Sequence, residues 1–391
     1  MVSQISGTVQ DSSGLAIPGA EVRATQTDTG VTRTAVSAAD GGYLLPSLPI
    51  GPYRLEVSKQ GFTSYVQSGI TLQVATNPTI DISLKVGAVS EQVQVEASAA
   101  MVETQSTGVG QIVDQQRVVD LPLNGRNATE LIFLAGAATS APAADRSSAK
   151  NYPGPALVSV AGGASNGMTY LLDGGTFNDP LNNLNLPLPF PDALQEFKVE
   201  TSSLPAQYGH HSAAAVNAVT KSGGNEIHGN LFEFFRNYQF NARNSFAATR
   251  DSLKRNQFGG TLGGPIQKNK LFYFLGYQGN IQRSNPGTSS ANIPTPDMLK
   301  GDFTGITSPA CNAGRQITLK APFINNKIAP TLMAGPALKM SSYFPTPPDT
   351  LCGLIFFGPL NNQDEHTALY KLDYQINSKH SVLFRHFIAH S

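Results

Sequence analysis

The chain has 391 residues, with 27 lysines and arginines against 27 aspartates and glutamates, so its formal net charge at pH 7 is zero. This balance excludes the strongly basic composition of most nucleic-acid-binding proteins, and we expect no nucleic-acid partner. Only 14% of residues are charged, whereas glycine (37) and proline (26) are frequent, which favours short strands and turns. No run of about 18 apolar residues is present, so no transmembrane helix is predicted.

Residues 4–86 alternate apolar and polar side chains with period two, and turn signals interrupt the alternation. After Gly51, for example, Tyr53, Leu55 and Val57 fall on one face of an extended segment. About seven short strands at this spacing predict a small β-sandwich.

The same residues contain the motifs G-T-V-x-D, I-P-G-A-x-V, D-G-x-Y and G-P-Y-R-L-E-V, followed by Gly61-Phe62. In these motifs the segment resembles the carboxypeptidase regulatory-like domain. The resemblance implies a transthyretin-like sandwich without peptidase activity. Relatives of that fold include carbohydrate-binding modules, so glycan binding stays open, although no aromatic pair here favours sugar stacking.

Residues 87–225 mix short strands with helical segments. DQQRVVDLP (114–122) predicts a short helix that Pro122 ends, and NATELIFLAG (127–136) predicts another with Asn127 as N-cap. The strands favour Ala, Val, Ser and Asn, which suits a tight polar enclosure better than a large apolar core. Strand patterns at 108–113, 157–163, 168–175, 194–202 and 213–224 complete a small α/β module.

Residues 226–391 contain aromatic-rich strand patterns joined by connections of about 19, 3, 80 and 4 residues. Short turns at one end and long loops at the other are typical of a transmembrane β-barrel. Because single-chain barrels begin at about eight strands, five strands cannot close a barrel. Unless the chain pairs with other chains, we expect it to be the front part of a larger protein. The patterns lie at 226–237, 257–266, 270–282, 366–376 and 381–390.

The facing of one strand follows from its alternation: Tyr370, Leu372 and Tyr374 alternate with Lys371 and Asp373, as in a wall with its apolar side outward. In KLFYFLGY (270–277) both faces are apolar, so the pattern does not assign which face points outward. We expect its aromatic rings, among them Phe272 and Phe274, in an interfacial girdle or a lipid-facing wall.

Cys311 and Cys352 both lie in the longest connection. Because there is no CxxC spacing and no neighbouring histidine cluster, a zinc site is not expected, and neither is another metal or a cofactor. In an oxidising compartment the two cysteines are expected to form a disulfide, with two free thiols as the alternative.

The order of sandwich, α/β module and strands resembles the TonB-dependent outer-membrane receptors of the Oar-like group. The motifs that carry the resemblance are LPLNGRNATEL (121–131), TYLLDGGTFND (169–179), LQEFKVETSSLPAQYG (194–209) and AAAVNAVTKSGGNEIHGNLFEFFRN (213–237). It implies a periplasmic regulatory-like sandwich at 4–86, a plug at 87–225 and part of an antiparallel barrel at 226–391. The complete barrel would have about 22 strands, so this chain is expected to be truncated at its C-terminal end.

The resemblance further implies active uptake, in which a ligand binds outer loops and the inner-membrane TonB complex pulls on a short segment called the TonB box. EQVQVEA (91–97) lies at the corresponding place, and an alternating extended segment can add to a partner's sheet. Glu91, Val93, Val95 and Ala97 would contact TonB. The alternative is that the segment is simply a strand of the sandwich or plug.

Two residues are given structural roles in the plug. Asp173 precedes Gly174-Gly175, which is a turn signal, and has no second carboxylate or histidine nearby to suggest catalysis. Arg126 is expected to form buried pairs with the barrel wall. No catalytic constellation is found, and no enzyme is predicted.

The expected location is the outer membrane of a Gram-negative-type bacterium, with outer-membrane lipid around the wall. MVSQISGTVQ lacks the basic and apolar regions of a signal peptide, so we expect a trimmed leader or a start further upstream. The sequence leaves the class of the ligand open between a small molecule, a glycan and a peptide. The alternative function is an adhesion or structural protein whose sandwich binds glycans or proteins.

Overall fold

The computed structural model describes most of the chain and divides it into two compact units. The first unit contains Met1–Glu233, Phe258–Gly279 and Glu365–Ser391, and the second contains Phe234–Gln257 and Asn280–Asp364. Within the described residues, no helix is long and apolar enough to cross a membrane. The described residues are 2–74, 76–87, 92–96, 108–141, 157–181, 183–204, 206–208, 213–243, 245, 250–284, 289–358, 361–378 and 380–390.

The first unit begins with the predicted sandwich. Its strands form one sheet in the order β4-β1-β7 and another in the order β3-β2-β5-β6-β8. Tyr53, Leu55 and Val57 of β5 all point into the core, which confirms the period-two alternation. The strands are β1 (Val2–Asp11), β2 (Glu21–Gln26), β3 (Thr32–Val36), β4 (Gly42–Pro49), β5 (Gly51–Ser58), β6 (Ser64–Leu72), β7 (Ile82–Leu84) and β8 (Gln92–Glu96).

A central α/β sheet follows, in the order β13-β12-β15-β14-β9, with β10 and β11 paired separately. Parallel pairing joins β12 to β15, whereas β14 is antiparallel to β15 and β9. The elements are β9 (Val109–Asp114), α1 (Gln115–Asp120), β10 (Ala138–Ser140), β11 (Val158–Val160), β12 (Thr169–Leu172), β13 (Gly175–Thr176), β14 (Leu194–Ser202) and β15 (Ala215–Thr220).

The two predicted helices of this region have different outcomes. The first forms as α1, where the Asp114 carboxylate accepts the Arg117 N–H at 2.9 Å. The second is a 3₁₀ helix, Ala128–Leu134, although its predicted cap is present because Asn127 Oδ1 accepts the Thr129 N–H at 3.1 Å. Further 3₁₀ helices in this region are Asn124–Arg126, Ser165–Gly167, Pro191–Ala193 and Ala206–Tyr208.

The five predicted wall strands form one sheet in the order β16-β17-β18-β21-β22. Lys371 of β21 is 3% exposed, whereas its neighbours Tyr370 and Leu372 are 45% and 39% exposed, which confirms the predicted facing. The wall strands are β16 (His228–Asn237), β17 (Lys254–Gln267), β18 (Leu271–Ser284), β21 (Asn361–Gln375) and β22 (Ser381–His390).

The direction of the aromatic side chains in β18 corrects one expectation from the sequence. Phe272 and Phe274 are buried, and Phe274 packs with Phe190 and Ala193 of the central sheet region and Leu369 of β21. These two rings therefore do not belong to an outer girdle. Their inward direction follows from the fit against the central sheet, which the alternation alone could not reveal.

The second unit contains the long connection, which is more ordered than a plain loop. Its β19 (Ser289–Asn292) pairs antiparallel with β20 (Leu354–Phe357), and α2 (Gly335–Ser341) lies between them in the chain. Asn326 donates to Thr307 Oγ1 and to the Ile317 carbonyl oxygen, both at 2.8 Å. Short 3₁₀ helices occur at Met298–Lys300, Pro309–Cys311 and Pro330–Leu332.

Candidate functional site

A buried ionic cluster joins the central sheet to the wall strands around Asp173. Asp173 occupies the turn between β12 and β13 with a left-handed φ of 47°. One carboxylate oxygen accepts the Thr220 N–H at 2.8 Å, and the other accepts the Thr220 hydroxyl at 2.7 Å. From the wall, Arg385 donates to the second oxygen at 2.6 Å, and the Lys371 ammonium lies 3.9 Å from the first. The carboxylate thus holds one central strand and faces two wall cations.

Two opposed effects determine the pKa of the Asp173 carboxyl group. Burial raises its pKa, but the nearby Lys371 ammonium, the Thr220 hydrogen bonds and Arg385 outweigh burial, and the pKa lies below its ordinary value. The Lys371 ammonium also donates to the Thr220 carbonyl oxygen at 3.1 Å. The Asp173 carboxylate therefore faces two wall cations, and its removal would leave both of them without this buried partner.

A second cluster surrounds Arg126, and here the structure corrects the sequence prediction. The buried guanidinium of Arg126 pairs with Asp192, which belongs to the same central region and not to the wall. Arg126 also contacts the wall at the ring of Phe232, whose centroid lies 4.9 Å from the guanidinium carbon. Asn230 of the wall donates to the other oxygen of Asp192. The wall therefore contacts both members of the pair.

One face of β14 carries charged side chains, although the strand is buried on both sides. Phe197 and Val199 point into the apolar core of the central sheet. The opposite face carries Glu196, Lys198 and Glu200, and the last two pair at 2.8 Å. A strand with alternating apolar and charged faces suits a sheet that packs on its own core with one side and lines a polar space with the other.

Glu196 links the central sheet to the sandwich. Its carboxylate accepts the backbone N–H of Val74, two residues after β6 ends, at 2.6 Å. Burial raises the pKa of Glu196 to about 7, and the Val74 hydrogen bond and the Lys198 ammonium offset this only in part, while Asp114 raises it further. This junction is therefore sensitive to pH near neutrality.

The sandwich also contacts the short-turn end of the wall strands. Asn225, which precedes β16, donates its N–H to the Asp28 carbonyl oxygen at 2.8 Å, and its side chain donates to Asn269 in the turn after β17 at 2.7 Å. The sandwich and the short turns therefore lie at the same end of this unit.

The predicted TonB-box segment is seen in part. Glu91 and Ala97 lie outside the described residues, whereas Val93 and Val95 belong to β8 and are half-buried. β8 pairs in parallel with β6 of the sandwich, from Ser64 opposite Gln92 to Ser68 opposite Glu96. Residues Gln92–Glu96 therefore form a strand of the sandwich in this structure, and the role of 91–97 as a TonB box stays a prediction.

In the second unit, Cys311 and Cys352 are joined by a disulfide. Among the described residues no group of histidine, cysteine, aspartate and glutamate side chains is arranged to hold a metal ion.

Two family matches agree in position with these elements. Residues 4–85 match the carboxypeptidase regulatory-like domain, and residues 219–391 match the outer membrane beta barrel domain. The TonB-dependent transporter Oar of Myxococcus xanthus is 30% identical over an alignment of 294 residues, and the match covers 72% of this chain. The chain is a homologue of the Oar TonB-dependent transporters.

This Oar homologue is an outer-membrane protein, mainly β, with a regulatory-like sandwich at its start and a barrel domain after it. It spans 27% of the length of the Myxococcus protein. Solved structures with a similar chain course are the siderophore receptor PirA from Acinetobacter baumannii and a mutant of the ferric enterobactin receptor PfeA from Pseudomonas aeruginosa. PirA is 16% identical to this chain and the PfeA mutant 13%, and each has a TM-score of 0.39. Each match covers 72% of this chain, together with 31% of the PirA chain and 32% of the PfeA chain.

Sequence reasoning missed several residues that the geometry brings together. Lys371 was assigned an inward direction by its alternation, but its partner Asp173 lies 198 positions away, since 371 − 173 = 198. Asp192 and Glu196 carried no local motif. A useful signal was present in LQEFKVETS (194–202), where charges at every second position predict one charged strand face.

Proposed function

We propose that this chain belongs to an energised outer-membrane transporter or receptor that takes up an unidentified ligand. In this proposal the sandwich is periplasmic, the central sheet is a plug, and the wall strands begin the barrel around it. The observation that carries the proposal is the Asp173 cluster, because it binds the central sheet to inward-facing side chains of the wall.

The nature of the contacts between central sheet and wall favours a plug that can rearrange. Among the described residues, the apolar cluster shared with the wall contains four buried residues, against eighteen in the core of the central sheet itself. The other described contacts include the Asp173 and Arg126 clusters. Charged groups regain hydration when water enters, so a polar interface in a lumen opens at lower cost than an apolar one of equal area.

A route for force from the periplasm is also present. The TonB-box segment is attached to the sandwich through β6, and the sandwich is attached to the central sheet through the Val74 N–H and Glu196. A pull on residues 91–97 would reach the plug along this route as well as along the chain that connects them. The relatives supply the name of the energy source, TonB, which we propose as the partner here.

The test is binding of the purified periplasmic domain of a TonB protein to the full-length chain in detergent. Deletion of 91–97 should abolish binding, and Val93→Asp should weaken it about tenfold or more, because a charge replaces an apolar contact. Gln94→Asp is the matched control, since Gln94 is exposed on the opposite face of the same strand, and it should bind as the wild type does. Unchanged binding after the deletion would contradict the proposal and would favour an adhesion role for the sandwich.

A further inference from the structure

The hairpin between β2 and β3 of the sandwich lies against the short-turn end of the wall strands. In its loop, the Asp28 carbonyl oxygen accepts the Asn225 N–H at 2.8 Å, shortly before β16 begins. Gly30 approaches the turn after β17 so closely that a Cβ atom there would lie 2.2 Å from Asn269 Oδ1. One short loop of the sandwich therefore touches both the start of β16 and the turn between β17 and β18.

Two further hydrogen bonds hold the sandwich against the rest of this unit. Arg33 of β3 donates to Gln375 Oε1 at the end of β21 at 3.4 Å, and the Val74 N–H donates to Glu196 of the central sheet. The described apolar core of the sandwich lies entirely within residues 5–84. The sandwich can therefore move away as a body, exchanging these hydrogen bonds for bonds to water without exposing its own core.

A cavity of about 1330 Å³ lies between the sandwich, the central sheet and the wall strands. Its lining includes Asp173 and Lys371 of the buried ionic cluster, and it also includes Gln26, Asp28 and Gln73 of the sandwich. Small-molecule pockets in proteins commonly enclose about 300–1,000 Å³, so a small solute that had passed the ionic cluster would fit inside. Such a solute would then meet the sandwich.

We propose that residues 27–33 are a latch, which holds the sandwich over the short-turn end of this cavity and must release before a solute can leave the cavity toward the periplasm. This inference rests on the proposed function, in which the central sheet is a plug and the sandwich is periplasmic. It gives the sandwich a role in uptake that is separate from the contact with TonB.

The latch is suited to open before the plug does. The side-chain hydrogen bond between Asn225 and Asn269, against which Gly30 packs, is exposed, whereas the Asp173 side chain is only 2% exposed. Water competes for exposed hydrogen bonds, and a buried ion pair has to be broken without that help. A pull that reaches the sandwich would therefore release the latch first and open the end of the cavity.

The first test measures whether residues 27–33 hold the sandwich in place in the purified full-length protein. Gly224 is buried, and a Cβ atom there would lie 3.2 Å from the Asp28 carbonyl oxygen, so a cysteine at this site would be covered by the latch. Gly30→Leu adds a side chain where Asn269 leaves no room for one. This change should make N-ethylmaleimide label Gly224→Cys about fivefold faster or more, because the cysteine reacts when the sandwich opens locally.

Gly14→Leu is the matched control. Gly14 has a left-handed φ of 84°, against 69° for Gly30, but a Cβ atom at Gly14 would meet no described atom within 4 Å. The two variants share the backbone strain, and only Gly30→Leu adds the clash, so Gly14→Leu should leave the labelling rate unchanged. Cys311 and Cys352 are joined in a disulfide and do not react. Equal labelling in the two leucine variants would overturn the latch.

The second test locks the latch in cells. A Cβ atom at Gly224 would lie 3.8 Å from the Asp28 Cβ, a usual separation in disulfides, so Asp28→Cys and Gly224→Cys can be joined by oxidation. The joined variant should lose growth on whichever source of a sole iron, glycan and peptide panel requires this gene, and dithiothreitol should restore it. The wild type with and without dithiothreitol controls for the native disulfide. Growth of the joined variant at the wild-type rate would contradict the inference.

The joined variant should also bind the TonB periplasmic domain as the wild type does, because residues 91–97 are unchanged. Loss of that binding on oxidation would mean that the joined pair blocks coupling instead of release, and would overturn the inference.

The two proposals fail in different ways. A gene deletion that grows normally on every source contradicts the proposed uptake and the latch with it. A growth defect of the gene deletion that the joined variant does not share contradicts the latch alone.

Discussion

Replacing Glu196 with glutamine should change how the stability of the chain depends on pH. The pKa of Glu196 is about 7 against 4.5 for an ordinary glutamate, because burial disfavours the charged form. An acid whose pKa is raised by folding favours the folded state below the ordinary pKa and loses that effect as pH rises through the raised one. The window therefore lies between pH 4.5 and about 7.

The size of the effect follows from the shift. A difference of about 2.5 pKa units, at 1.36 kcal/mol per unit, gives about 3 kcal/mol when the window has been crossed fully. Between pH 5 and pH 8 the wild type should lose about 2 kcal/mol through this group, and Glu196→Gln should not, since the amide stays neutral while its oxygen can still accept the Val74 N–H.

The assay is urea unfolding of the full-length chain in detergent at pH 5 and pH 8, followed by circular dichroism. Glu21→Gln is the matched control, because Glu21 is exposed on the sandwich surface and its change should leave the pH dependence as it is. The reasoning is refuted if Glu196→Gln has the same stability difference from the wild type at both pH values, or if it is relatively less stable at pH 8.

Three further outcomes are expected. Asp173→Asn should lower the free energy of local opening of β12 and β15 by about 3 kcal/mol in hydrogen exchange, because it removes the buried carboxylate that Arg385 and Lys371 face; unchanged protection would contradict the role of the cluster. Cys311→Ser with Cys352→Ser should destabilise the second unit by about 4 kcal/mol from the loop-closure entropy of a 41-residue separation, measured by its thermal unfolding, while TonB-domain binding stays unchanged. Val93→Asp, but not Gln94→Asp, should reduce energised uptake in cells, and equal effects of both would contradict the assigned face of β8.

Strand positions were predictable from the sequence because alternation and turn chemistry are local. The five wall strands were found within a few residues of their observed ends, and the inward direction of Lys371 followed from its apolar neighbours. Phe272 and Phe274 were not placed correctly, because in a strand that is apolar on both faces the alternation does not show which side chains point inward. Their burial depends on Phe190 and Ala193, which arrive from a distant part of the chain.

Contacts between residues that are far apart in the chain were harder to predict from the sequence. Arg126 was expected to form buried pairs with the wall, but its ion pair is with Asp192 of the central region, and no local pattern could distinguish that carboxylate from one in the wall. The placement of 91–97 also depended on tertiary context, because an alternating segment fits any open sheet edge of the right register. The sequence could state that the segment is extended, but only the structure shows that its neighbour is β6.

We propose that this protein supports TonB-energised uptake across the outer membrane. The most direct test compares three strains of the host, with the intact gene, with the gene deleted, and with residues 91–97 deleted, on a panel of sole iron, glycan and peptide sources. We predict that both deletions cause the same growth defect on the same source, with equal amounts of the intact and 91–97-deleted proteins in the outer membrane. Normal growth of the 91–97 deletion on a source that the gene deletion cannot use would contradict the account.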